Sequence, residues 1–380
     1  MSPIVRSLLA LSFVALPAAV QAGTVSAPAA PAAPAAAAAP SSPFDALWNL
    51  AKLYKNDANP WLEELAFTGR YQGQYYHADG EEFSDDDWEN RRFRLGLKAK
   101  LWDKKLEFNG EMFSNLVSGE DFYAGLKNFN LTWKSSDALA LTVGKLEPHF
   151  GYDYNRSDTQ MVTFERTAMV NEFGNDYMAG ATVSGKSGNW RYYGGVYSNE
   201  ADQEFGSFAG AYSLMASVGY DLKEATGLDR ASVQLDYLHS EHDVEDTNLT
   251  QFDNGLAATF EMKQGRCGLV TEVVAGFGET ADAGIMIMPT YDISKKLQLV
   301  TRYQFDFSDD ANGLKSQSRY ERRAGTGSGD CYNALYAGLN YYIYDYKLKV
   351  MGGVEYSNMD GGKAGSQDTV TALAGLRVSW

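Results

Sequence analysis

From Leu65 to Trp380 the chain falls into successive segments of about ten residues in which apolar and polar side chains alternate. Neighbouring side chains of a strand point to opposite faces, so each segment offers one apolar wall and one polar wall. The first sets Leu65, Phe67, Gly69 and Tyr71 against Thr68, Arg70, Gln72 and Gln74. The second sets Phe93, Leu95, Leu97, Ala99 and Leu101 against Arg92, Arg94, Lys98 and Lys100. The last carries Val370, Ala372, Ala374, Leu376, Val378 and Trp380 on one face. After the N-terminus no apolar run approaches the roughly 20 residues of a membrane helix. Alternating walls need no such run, because a strand crosses lipid with only every second residue apolar.

The connections alternate as well. Asp103-Lys104, Ser187-Gly188-Asn189, Gln264-Gly265 and Tyr344-Asp345 read as tight turns. Between them lie longer acidic or glycine-rich loops: 79–87, 148–175, 199–207, 240–253, 308–330 and 358–367. Short turns at one rim and long loops at the other predict an all-β fold, a transmembrane antiparallel β-barrel of about sixteen strands. Both termini would then stand at the short-turn, periplasmic rim, and a barrel of that size leaves an aqueous lumen. Alternation alone also fits a soluble sandwich or propeller. The rim asymmetry, the aromatic at the end of the final strand and the N-terminal sequence oppose that reading.

Residues 1–22 read as a secretory signal, with Arg6, an apolar stretch from Leu8 to Val20, and a small-x-small site at Val20-Gln21-Ala22. Residues 23–43 form an Ala/Pro-rich linker without the means to bury a core. Phe44, Leu47, Leu50, Leu53 and Tyr54 stand at helical spacing, which predicts a short periplasmic helix over 44–60 and the barrel over 61–380. The formal net charge of -16 argues against nucleic acid as a partner. Two cysteines and four histidines without a ligand motif predict no metal and no cofactor. Cys267 and Cys331 fall at opposite rims, which predicts no disulfide between them.

The run Asn90-Arg91-Arg92-Phe93-Arg94-Leu95-Gly96-Leu97-Lys98 resembles the paired-arginine second strand of the phosphate-selective porin O/P family. Leu141-Thr142-Val143-Gly144-Lys145-Leu146-Glu147-Pro148-His149-Phe150-Gly151 is similar to that family's strand leading into the third loop. Phe164-Glu165-Arg166 and the hairpin from Gly180 to Asn199 resemble its following elements, the likeness being clearest over 88–199. The resemblance implies a sixteen-stranded homotrimeric outer-membrane porin narrowed by an inward-folded third loop. It implies a water-filled channel for small hydrophilic solutes or inorganic anions, surrounded by outer-membrane lipid.

Arg92, Arg94, Lys98 and Lys100 share one strand face, and Arg156 and Arg166 lie in the long third loop. Such a stack of positive charge focuses field and favours anions in a narrow pore. Glu107, Glu111, Glu165 and Glu172 are candidate counter-charges, which would give a transverse field without a preference for one anion. General, anion-preferring and phosphate-selective pores therefore remain open. Two rivals belong to other classes: a structural barrel tethering the envelope through the linker, and an outer-membrane barrel hydrolase. The second has little support, since His239 and His242 fall on opposite strand faces and no nucleophile is evident. The acidic stretches around Glu81-Glu82 and Asp85-Asp86-Asp87 read as a solvated rim.

Overall fold

The structure, a computed structural model, describes residues 42–380 except 82, 117–119, 174–175, 201–203, 209–210, 242–251, 317–319 and 363–364. The signal 1–22, nearly all of the linker 23–43, Glu82, His242 and Asp243 lie outside the described residues.

Sixteen antiparallel strands form the wall. In chain order they are β1 Glu64–Gly80, β2 Ser84–Leu101, β3 Leu106–Ser114, β4 Tyr123–Ser136, β5 Leu139–Leu146, β6 Met178–Ser187, β7 Trp190–Ser198 and β8 Tyr212–Asp221. There follow β9 Arg230–Ser240, β10 Asn254–Gln264, β11 Cys267–Phe277, β12 Ala281–Asp292, β13 Leu297–Ser308, β14 Cys331–Tyr344, β15 Leu348–Asp360 and β16 Gln367–Ser379. Each pairs with its neighbour in sequence, and β16 closes on β1 from Ser379↔Arg70 to Thr369↔Gly80. Closure leaves the wall without a free edge, the condition for a sheet to sit in lipid.

Alternation explains which way the wall faces. Leu97, Leu131, Val233 and Leu335 stand exposed on the outside, as do many large apolar residues like them. Leaving such a belt in water would forfeit about 25 cal/mol per Å², so the outer face requires an apolar medium. One end carries the short connections 102–105, 137–138, 188–189, 265–266, 293–296 and 345–347. The eight-residue link between β8 and β9 at that end holds a helical turn, Lys223–Thr226. The other end carries 147–177, 199–211, 241–253 and 309–330. Cys267 begins β11 at the short-turn end and Cys331 begins β14 at the long-loop end; both are free thiols.

Two expectations need correction. The stretch 79–87 is not a long loop: β1 and β2 continue past it in register, with Ala78↔Asp85 and Asp79↔Ser84. The alternation there is hidden because the acidic run puts charge on both faces of a hairpin that projects beyond the belt. Nor is 44–60 one helix. It divides into α1 Asp45–Asn49 and a strand, Lys52–Lys55, paired antiparallel with the start of β1. Tertiary contacts override the helical spacing: Trp48 Nε1 donates to Ser379 O at 2.6 Å. The Trp48 and Phe44 rings lie 5.0 and 5.6 Å from Tyr344. This segment clamps the short-turn rim where β14 and β16 end and β15 begins.

The interior is less open than a bare sixteen-stranded barrel. Within 147–177 the chain forms α2 Gly151–Tyr154, a 3₁₀ turn Asp158–Gln160, and α3 Ala168–Glu172. Phe150, Met169, Val170 and Phe173 from this loop are buried against inward-facing Met178, Tyr197, Met215, Leu238 and Val274. Phe164 is buried in a second apolar cluster with Tyr76, Met286, Val300, Tyr336 and Met351. Tyr320, from 309–330, belongs to that second cluster and reaches it from the long-loop end. Part of the expected aqueous lumen is thus a packed core around the third loop.

Candidate functional site

Strand β2 carries an irregularity that decides what faces the interior. Gln72 pairs with Arg92 but Gly73 pairs with Asn90, so Arg91 is an extra, unopposed residue. A bulge of this kind resets the alternation. Arg91 and Arg92, adjacent in sequence, both reach carboxylates of the third loop. Period-two reading alone would put Arg91 in lipid.

The third loop supplies the partners. Asp158 receives Arg70, with Arg94 Nη2 at 3.4 Å and Arg92 Nε at 3.5 Å. Glu111 of β3 takes Arg70 at 3.0 Å and Arg94 at 3.2 Å. Arg94 also donates to the Tyr177 hydroxyl at 2.9 Å, and Arg92 to Gln72 Oε1 at 2.8 Å. Glu165 is held by one guanidinium edge of Arg91, which donates from Nε at 2.9 Å and from Nη2 at 3.0 Å. Its backbone oxygen accepts from Arg302 at 2.8 Å, and Arg302 pairs with Glu355 at 3.0 Å. Arg377 lies 5.1 Å from the Phe164 ring and donates to Gln74 and to Gly73 O. Bidentate guanidinium–carboxylate pairs of this type combine energy with fixed orientation. Arg70, Arg91, Arg92, Arg94 and Arg377 face Asp158, Glu111 and Glu165, and Glu89 joins them through Tyr320 and Gln74: five guanidiniums against four carboxylates, one positive charge in excess.

Burial alone would raise the Glu165 carboxyl, but Arg91, Arg92 and Arg377 outweigh it and hold it down at about 2. Glu172, in α3, moves the other way. Burial pushes it up to about 7, assisted by Asp282 and opposed by the Lys315 backbone N–H, which donates at 2.9 Å.

On the far wall the loop is gripped by carboxylates and amides. Gly151 adopts φ +72, and a Cβ there would stand 3.2 Å from Glu272 Oε1. This left-handed turn, natural only to glycine, aims two consecutive amides outward. Gly151 N–H donates to Asp236 at 3.0 Å and Tyr152 N–H to Glu272 at 2.5 Å. Asn340 donates to Val162 O at 2.9 Å, Lys349 donates to Met161 O, and Ala168 N–H donates to Gln304 at 2.9 Å. Lys349 is one residue past the start of β15, so the loop descends almost to the short-turn end.

The residues expected from sequence therefore separate. Arg92, Arg94, Glu111 and Glu165 meet in one cluster with Asp158. Lys98 borders a cavity of about 510 Å³ beneath the loop, together with Arg70, Glu111 and Glu147. Lys100 pairs with Glu64 at 3.2 Å and Glu107 with Lys134 at 2.7 Å, both beside the short turns and away from the cluster. The reason is length: from Arg92 to Lys100 a strand rises about 26 Å, too far for one ring. Arg156 reaches across to Glu261 of β10 and packs 4.7 Å over the Tyr152 ring. Arg166 pairs with Glu147 at 3.0 Å and covers the Tyr154 ring at 3.9 Å. Missed from sequence were Arg70, Arg91, Arg377 and Asp158. Arg70 and Arg377 had a signal, their places on the polar faces of β1 and β16.

A sequence profile described as phosphate-selective porin O and P matches residues 65–263. No curated protein sequence matches the chain. Among solved structures, the chain is similar to Pseudomonas putida OprB, with TM-score 0.60, 12% identity and coverage of 83% of this chain and 94% of that one. A loop-deletion mutant of OmpT, an outer membrane protein of Vibrio cholerae, gives TM-score 0.58 at 15% identity, covering 83% and 99%. An anion-selective porin from Comamonas acidovorans gives TM-score 0.57 at 11% identity, covering 83% and 99%.

Proposed function

The chain belongs to the phosphate-selective porin O and P family, and from that premise we propose that its channel prefers small anions. It is an outer-membrane porin, a water-filled channel for the diffusion of small solutes. The observation that carries the anion preference is the excess of positive charge where the third loop meets β1, β2, β3 and β16. Fixed charge in a narrow, low-dielectric passage raises the local concentration of the opposite ion. The similar Comamonas protein is described as anion-selective, which supports the same reading.

The three buried carboxylates argue against a tight phosphate filter. They engage the guanidiniums that would otherwise bind an oxyanion in bidentate fashion. In this reading Arg92, Arg94, Lys98, Arg156 and Arg166 line the anion path, Glu111 and Glu165 temper it, and Lys100 and Glu107 belong to the rim. We place the short turns and both termini on the periplasmic side, lipid around the apolar belt, and three copies in the assembly.

Proteoliposomes loaded with a chloride-quenched dye or a thallium-quenched dye test the preference. Chloride entry should outpace thallium entry severalfold. Equal rates, or faster thallium entry, would refute an anion preference and leave a general pore.

A further inference from the structure

Beneath the third loop, on the β7–β10 side, lies a cavity of about 500 Å³ that the constriction does not use. Its most unusual lining residue is Arg191. Second residue of β7 and inward-facing, it is solvent-exposed and has no ion-pair or hydrogen-bond partner among the described residues, unlike the buried arginines of the constriction. Gly219, opposite it on β8, makes room: a Cβ there would stand 3.2 Å from both Nε and Nη2 of Arg191. The guanidinium thus lies across a bare stretch of backbone and faces the cavity.

Around it stand Arg156 and Arg230, which share Glu261, the latter at 2.7 Å. With Asp221 also in the lining, three guanidiniums face two carboxylates. The rest of the wall is suited to an organic body. The His149 and Tyr193 rings are stacked at 4.7 Å and 13°, and Tyr152 presents a ring already partnered by Arg156. Ser217, Ser232 and Gln234 add hydroxyl and amide groups. A mostly polar wall with a few ring faces and a single unneutralised charge in several hundred Å³ suits a hydroxylated, charged solute rather than an apolar one. An inorganic ion would use the charge and leave the rings and hydroxyls idle.

We propose that this cavity is a second station on the solute path, a periplasmic-side subsite for an oxyanion carried on a hydroxylated body of sugar size, with Arg191 as its anchor. The proposal rests on the anion-preferring reading of the channel. Arg191 supplies the charge-assisted hydrogen bonds, the ring faces pack against the carbon skeleton, and the hydroxyl groups meet Ser217, Ser232 and Gln234.

Titration calorimetry on the detergent-solubilised protein tests it without requiring conduction. The probes are gluconate (charge and body), glucose (body alone) and acetate (charge alone). Gluconate should bind at least tenfold more tightly than either fragment probe, the discrimination expected when a charge-assisted contact is lost. Arg191→Ala should abolish that advantage and Arg191→Lys should keep part of it, because Arg191 holds no other residue in place. In planar bilayers gluconate added on the short-turn side should reduce the wild-type current and leave the Arg191→Ala current unchanged. Equal binding of gluconate and acetate, or undiminished gluconate binding by Arg191→Ala, would overturn the subsite. Gluconate binding that depends on Arg191 in a channel preferring cations would instead overturn the anion-preferring reading and leave the subsite standing.

Discussion

Replacing Glu165 by Gln probes how the third loop is held in the lumen. The carboxyl is displaced from 4.5 to about 2 by three guanidiniums, although burial acts against it. At 1.36 kcal/mol per unit, this displacement is worth about 3 kcal/mol of loop docking at neutral pH. That lies at the lower end of the range for breaking a buried ion pair, as suits a glutamine that can still accept one hydrogen bond from Arg91. The energy is local, so the assay must be local as well. Gly151 N–H donates to Asp236 of β9 at 3.0 Å and Ala168 N–H to Gln304 of β13 at 2.9 Å, and both bonds exist only while the loop is docked. In Glu165→Gln these amides should exchange with solvent roughly a hundredfold faster, while amides at the centre of β9 keep their protection. The depressed carboxyl also fixes the pH dependence of the wild type. Its contribution is complete above about pH 4.5 and disappears as pH falls towards 2. Unchanged protection of Gly151 and Ala168, or an equal loss throughout the wall, would refute the claim that Glu165 and Arg91 pin the loop.

Further outcomes follow from the same contacts. Glu172 carries the opposite sign, being raised from 4.5 to about 7 by burial. The burial of α3 against residues 314–315 should therefore weaken as pH rises through that interval, by up to about 3 kcal/mol, although Lys315 itself favours the ionised form. Glu172→Gln should remove the effect, read as the exchange rate of the Lys315 amide at pH 8. Gly151→Ala adds a side chain at φ +72 beside Glu272 and should cost about 1–2 kcal/mol. The expected sign is faster exchange at Gly151 and Tyr152 with the barrel intact by circular dichroism. Trp48→Ala removes the anchor to Ser379 and Tyr344 and should free residues 42–60 to limited proteolysis, with single-channel conductance unchanged.

The barrel was legible because outward Leu97, Leu131 and Val233 follow a two-residue period that needs no knowledge of their neighbours. Arg92 and Arg94 were legible for the same reason. Arg91 was not, because its orientation depends on a bulge set by pairing with Gln72 and Gly73, nearly twenty residues away. Period two also tells inward from outward but not height. Lys100 and Glu107 therefore entered the candidate site although they stand at the rim, and Asp158 escaped it although it is the hub. The contacts of the third loop run to Arg70, Asp236, Glu272, Arg302, Asn340 and Lys349, all of them remote in sequence. No local pattern encodes such pairings. The helical spacing of 44–60 misled for a related reason: pairing of Lys52–Lys55 with β1 outweighs a weak helix preference.

A charge excess around the third loop should make the channel prefer anions. The most direct measurement is the zero-current potential of the refolded protein in a planar bilayer under a tenfold KCl gradient, compared with Arg91→Gln/Arg92→Gln/Arg94→Gln. The wild type should show the sign of chloride preference, and the triple variant should move towards zero or reverse. A wild-type potential of the cation-preferring sign, or one that the triple variant leaves unchanged, would contradict the claim.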